Sequence, residues 1–129
     1  MSSLSIEIER RFSQDDFDAF ARLSGDDNPI HVDPEFSAAT RFGRPVAHGM
    51  LLYAVFRGLI FRLMPDAQQV SQDLMFTAPT YADEPVRFAV DIKVSGSGQA
   101  AATMSCTRVA DDAITCEGAA QLSARPAQR

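Results

Sequence analysis

An aspartate and a histidine stand five residues apart in the run Leu23-Ser24-Gly25-Asp26-Asp27-Asn28-Pro29-Ile30-His31-Val32-Asp33. A carboxylate and an imidazole held at a set distance can accept and donate protons near neutral pH, which is what general acid–base chemistry requires. The run suits that task, because Pro29 locks one backbone angle and Asn28 readily bonds nearby backbone groups. Taken alone, the same residue types fit turn caps and a structural histidine better than a catalytic pair. Signatures of other chemistries are missing. There is no Gly-x-Ser-x-Gly elbow for a nucleophilic serine, and no dinucleotide fingerprint, phosphate loop or His-Glu-x-x-His zinc site. Cys106 and Cys116 match no metal spacing. No metal and no cofactor is implied.

The elements that must hold this run are readable on either side of it. Residues 6–11 alternate apolar and charged side chains, the pattern of an edge strand. Ser13 with Asp16 three residues on makes a short capping box, and Phe12 and Phe17 occupy the two positions of a hydrophobic staple. A helix follows with Phe17, Phe20, Ala21 and Ser24 on its spacing, and Gly25 is its natural stop. Residues 26–46 are punctuated rather than periodic, with turns at Asn28-Pro29 and Asp33-Pro34. A short helix is expected over 34–40, with Asp33 as its cap.

The longest helix is expected from Gly49 to Leu63. Leu52, Val55, Leu59 and Leu63 form one apolar stripe with Leu51, Phe56 and Ile60 beside it, so the helix is buried on most sides. Pro65 ends it. Strands are expected at 70–76, 86–94, 100–109 and 114–122, the second from nine residues of strict alternation and the last two as a hairpin. The tail after Ser123 is expected to fray. The result is an α+β chain of one domain, residues 1–129. One buried helix is followed by an antiparallel sheet. Such a sheet leaves long edges that invite pairing with another chain, and a homodimer with a continuous sheet is the natural remedy.

Composition narrows the partners. The net charge is -5, so no basic face for nucleic acid is indicated. No apolar run is long enough to span a membrane, and the start lacks the regions of a signal peptide. A cytoplasmic location follows. There, Cys106 and Cys116 are better read as reduced core thiols than as a disulfide.

Ser24-Gly25-Asp26-x-Asn28-Pro29-x-His31, followed downstream by Ala47-His48-Gly49-Met50-Leu51, resembles the MaoC-like family of (R)-specific enoyl-thioester hydratases. Asp33-Pro34-Glu35-Phe36 and the Gly43-Arg44-Pro45 turn also match the family's intervening region. The likeness is good over roughly residues 12–95 and looser beyond. It implies a hot-dog fold, in which an antiparallel sheet wraps a central helix. It also implies a site near the subunit interface, in keeping with the homodimer or dimer of dimers that the open sheet edge and the apolar helix suggest. The implied activity interconverts trans-2-enoyl and (R)-3-hydroxyacyl thioesters of CoA or acyl carrier protein. Carried across, Asp26 and His31 are the catalytic pair, and the Gly49 backbone N–H binds the thioester oxygen. Asn28, Tyr53 and Arg57 are the candidate substrate-binding residues. His48 braces the helix start. Arg41, Arg44 and Arg87 are candidates for CoA phosphates.

One position departs from the family. Eight residues beyond the helix glycine, its hydratases often carry a small hydroxyl residue, and this chain has Arg57. A cation there needs an anion. The expected partner is Asp26, with an acidic group on the substrate as the second choice. Two further functions compete with a hydratase. One is a hot-dog thioesterase, a class that lacks the Asp-x-Asn-Pro-x-His loop. The other is a non-catalytic acyl-CoA-binding or assembly subunit, which Arg57 keeps open.

Overall fold

The computed structural model describes residues 2–124. Its elements in order are β1 (Ser2–Arg11), α1 (Gln14–Ser24), α2 (Pro29–Val32), α3 (Pro34–Ala38), α4 (Gly49–Leu63), β2 (Ala67–Phe76), β3 (Pro85–Val94), β4 (Gln99–Arg108) and β5 (Ile114–Ala124). The strands form one antiparallel sheet in the order β1-β3-β4-β5-β2. The last three strands are a meander of hairpins. The two strands on either side of α4 in sequence are therefore sent to opposite edges, and α4 crosses between them over one face. This is the hot-dog arrangement. No helix among the described residues is long and apolar enough to cross a membrane.

Alternation along β3 decides which face is covered. Val86, Phe88, Val90 and Ile92 are all buried, while Arg87, Ala89, Asp91 and Lys93 face away. Leu52, Phe56, Leu59 and Ile60 of α4 complete that core. Phe56 meets Phe88 edge-on with ring centroids 5.3 Å apart. Burying side chains of this size is worth about 1.5–3 kcal/mol each, so α4 is held by packing rather than by its caps. Cys106 and Cys116 face each other across β4 and β5 as buried free thiols.

The start of α1 is as its residues dictate. The Ser13 side chain accepts from the Asp16 N–H and the Asp16 carboxylate accepts from the Ser13 N–H. Phe12 and Phe17 close the staple at 6.5 Å. Gly25 ends the helix at φ 82, a left-handed angle that suits glycine.

Four expectations need correction. Residues 29–32 are a helical turn, α2, and not open loop, because Asn28 caps it and Pro29 fills its first position. The next helix, α3, stops at Ala38, two residues short of Thr40. Strand β2 begins at Ala67 rather than Val70. Its pairing with β5 skips between Gln69 and Ser71, and this bulge leaves Val70 without a partner residue and 63% exposed. Strand β5 runs past Leu122 to Ala124, which pairs with Ala67 and so is not frayed. The rest of the tail expected to fray, residues 125–129, lies outside the described residues.

Candidate active site

A ladder of short local bonds shapes the loop after α1. The Ser24 hydroxyl accepts from the Asp26 N–H at 3.1 Å, the Asp26 carboxylate from the Asn28 N–H at 3.5 Å, and the Asn28 side chain from the Ile30 N–H at 3.1 Å. Asn28 thus acts as the cap of α2, and no substrate contact is needed to explain it. The turn of α2 brings His31 back toward Asp26, with Nε2 3.9 Å from Oδ2. That gap is too long for a hydrogen bond and suits one bridging water. Asp26 is 56% exposed at its side chain and His31 is 13% exposed.

The tautomer of His31 follows from its other nitrogen. Nδ1 lies 2.8 Å from the Val46 carbonyl oxygen, which can only accept, so Nδ1 carries the proton. Neutral His31 therefore presents a bare lone pair on Nε2 toward Asp26. His48 repeats the logic with the nitrogens exchanged. Its Nε2 donates to the Asp26 carbonyl at 2.9 Å, and its buried Nδ1 has no partner among the described residues. Burial, with the neighbouring His31 adding to it, holds the His48 pKa below its ordinary value. The bond to the Asp26 carbonyl and the Asp26 charge oppose the shift.

Asp26 and Gly49 both stand on the wall of a cavity of about 490 Å³, with Arg41, Met50, Leu52 and Phe76 around them. His31 stands back from that wall. Gly49 opens α4, and no side chain caps this helix start, so its first N–H groups and the helix dipole are free to meet an oxyanion. Phe76, unanticipated from sequence, covers Gly49 so closely that a β-carbon there would lie 2.8 Å from the ring.

Asp26, His31 and His48 each offer a ligand atom within 4.8 Å of the others. A zinc ion would need about 2.0–2.1 Å from each nitrogen. The two imidazoles instead stack at 3.9 Å and 22°, so their in-plane lone pairs run side by side rather than converging. Proton transfer fits this set better than metal binding.

Arg57 and Tyr53 are elsewhere. Arg57 donates to the Gln69 side-chain oxygen, and Gln69 donates to the Tyr53 hydroxyl, both at 2.9 Å. The expected Arg57–Asp26 pair is not formed. Eight residues along a helix carry Arg57 about 12 Å from Gly49 and about 80° around the axis, away from the cavity wall. Of the other arginines, Arg44 pairs with Glu84 and Arg87 with Glu7 and Asp112. Arg41 lies on the cavity wall over the Phe42 ring at 4.7 Å, with no carboxylate within 4 Å among the described residues.

The model of the MaoC like domain matches residues 2–115. The chain belongs to the MaoC-like family. It is 36% identical over 117 residues to the (R)-specific enoyl-CoA hydratase of Aeromonas caviae, covering 84% of this chain and 87% of that protein. A solved structure of the A. caviae (R)-hydratase involved in PHA biosynthesis superposes with a TM-score of 0.87 at 30% identity, over 96% of each chain. The 3-hydroxybutyryl-CoA dehydratase of Methylorubrum extorquens is 30% identical over 88% of this chain and 73% of its own length. Within the MaoC-like fold, the loop ladder and the bare Nε2 of His31 are the features that bear on chemistry.

Proposed function

We propose that this protein adds water to trans-2-enoyl thioesters, and removes it from (R)-3-hydroxyacyl thioesters, with the acyl group carried on CoA or acyl carrier protein. The observation that carries this reading is the 3.9 Å gap between Asp26 Oδ2 and His31 Nε2, beside a helix start that no side chain caps. A water in that gap meets two acceptors. One takes a proton while the oxygen adds to C3. The thioester oxygen, now an enolate, is held by the Gly49 N–H. The same proton then passes to C2, so the pair ends as it began and one H–OH has been added. Acid–base help of this kind is worth about 10²–10⁴ in rate, and one oxyanion donor about 2.7–4 kcal/mol. No metal or cofactor is needed.

Arg41, alone among the candidate arginines on the cavity wall, is suited to a phosphate of the carrier. Tyr53 and Arg57 lie off this cavity wall, so they would meet only an acyl group long enough to run past it along α4, where a guanidinium with no carboxylate partner among the described residues would favour a polar or anionic tail.

The working form is a homodimer or a dimer of dimers in the cytoplasm. Phe61, Val70 and Met75 are large exposed apolar side chains. All lie on α4 or β2, and β2 is a sheet edge. Pairing two such edges would continue the sheet and cover these side chains. Light scattering that gave a compact, active monomer would overturn the dimer.

The chemistry is tested by incubating short and medium 2-enoyl-CoAs with the protein and following conjugated-thioester absorbance and free thiol separately. Loss of absorbance without thiol is expected. Thiol release would mean a thioesterase, and neither change would mean a binding module.

A further inference from the structure

The chain contains two histidines, and the fold stacks them on one another with centroids 3.9 Å apart. His48 is buried and lies off the cavity wall. Its ring also contacts Phe20 at 4.8 Å. It cannot touch a substrate in that position, yet it touches both members of the pair. One nitrogen bonds the Asp26 carbonyl and one ring face lies on His31.

The loop bonds around Asp26 are otherwise local, spanning two residues each. The bond from His48 spans 22 residues and ties the Asp26 peptide to the start of α4. His31 has its own tie, to Val46, but a single hydrogen bond lets a ring rock about it, and the stacked face of His48 opposes that motion. We propose that His48 is a positioning residue, whose bond fixes Asp26 and whose stack fixes the plane of His31, so that the water-sized gap between them is held open at one width. The inference rests on the hydratase reading for its kinetic consequence and on geometry alone for its structural one.

The setting of His48 agrees with this. A ring kept for its own proton chemistry would be open to solvent or substrate, whereas this one is bonded to the Asp26 main chain and buried. Burial also disfavours its charged form, which keeps a cation away from the face of His31.

Two substitutions separate the halves of the proposal. His48→Gln can keep a donor for the Asp26 carbonyl and loses the stack. His48→Phe keeps a flat ring and loses the bond. Each leaves His31 as the chain's one imidazole, so its nitrogen NMR signals are unambiguous. In the folded variants kcat on a short 2-enoyl-CoA is expected to fall about 10–100-fold, the scale of a small misplacement, while KM stays within about threefold. His31 should show a single Nδ1-protonated form in the wild type and broadened or mixed signals in His48→Gln, with a smaller change in His48→Phe. Wild-type kcat in both variants with unchanged His31 signals would overturn the proposal, as would a rise in KM that accounts for the whole loss. If kcat falls but His31 in His48→Gln stays wild-type, the stacking role is overturned. If both variants fail to fold, Phe20→Leu loosens the outer face of His48 in their place, and the same two readouts apply. A wild-type protein without hydration would remove the hydratase reading and leave the NMR comparison to decide the positioning role.

Discussion

The ring of Phe76 rests on Gly49, and a β-carbon on that glycine would stand 2.8 Å from its tip. The contact is with the far end of a side chain that is 49% exposed on an edge strand, so the ring can swing aside where a backbone could not. Gly49→Ala should therefore cost less than about 1 kcal/mol, below the usual range for overpacking a closed core. The effect should appear in the cavity, as a several-fold rise in KM for enoyl-CoA. Adding Phe76→Ala should return part of that rise. Urea melts and steady-state kinetics on the three chains check both statements.

Asp26→Asn and His31→Ala should each lower hydration by about 10²–10⁴ while the chain stays folded. In the proposed mechanism the two act on one water, so the double variant should be no more than about tenfold worse than the weaker single one. Turnover near wild type in either folded variant would return the loop to a purely structural role.

Arg57 tests substrate polarity. Since it bonds Gln69 and not Asp26, Arg57→Ser should leave the proton chemistry alone and shift selectivity. The ratio of kcat/KM for a short alkyl enoyl-CoA over one with a distal carboxylate should rise about tenfold or more, the scale of losing one charge-assisted contact. A large loss with the alkyl substrate would show that the arginine reaches the reacting end.

His48 should make stability depend on pH in one direction. Burial first, and His31 second, hold its folded pKa below the ordinary 6.5. The unfolded chain then takes up a proton before the folded one does. The contribution is fully present above pH 6.5 and is lost as pH falls from there through the folded value. Thermal midpoints should drop between pH 7.5 and 5.5, and the drop should shrink in His48→Gln.

The two cysteines should be silent in the native protein. Burial pushes the Cys106 thiol up to about 11, against a bond from Thr115. Burial, helped by Cys106 and Glu117, pushes Cys116 to about 12. At pH 8 the reactive thiolate of Cys106 is on the order of one part in a thousand. A thiol reagent should label neither until denaturant is added, and then both.

Much of this was legible in the chain, and the illegible parts share a cause. The bounds of α4, the capping box of α1 and the strict alternation of β3 depend on neighbours in sequence, and each is where its residues put it. Asn28-Pro29 carried the same cap-and-proline signal as Asp33-Pro34, yet α2 is only four residues long and has no apolar stripe to support it. The start of β2 escaped notice because Gln68 and Gln69 break the apolar alternation, and pairing with β5 extends the strand all the same. The partner of Arg57 depends on how β2 lies beside α4, which is a property of the sheet. The stack of His31 on His48 joins residues 17 apart and is made only when α2 docks on the start of α4.

The bond that sets the tautomer of His31 has a genetic consequence. Its acceptor is the main-chain oxygen of Val46, a group that every amino acid carries, proline included. No single codon change at position 46 can delete it. The neighbouring Val46 N–H, which holds the Ile30 carbonyl at 3.1 Å, is nearly as secure, since only proline removes it. Random mutation can thus erase His31 or Asp26 outright, but at position 46 it can disturb the proton on His31 only by shifting the chain. Inherited variation at residue 46 should track the size of its buried slot and carry no trace of the bond its carbonyl makes to His31.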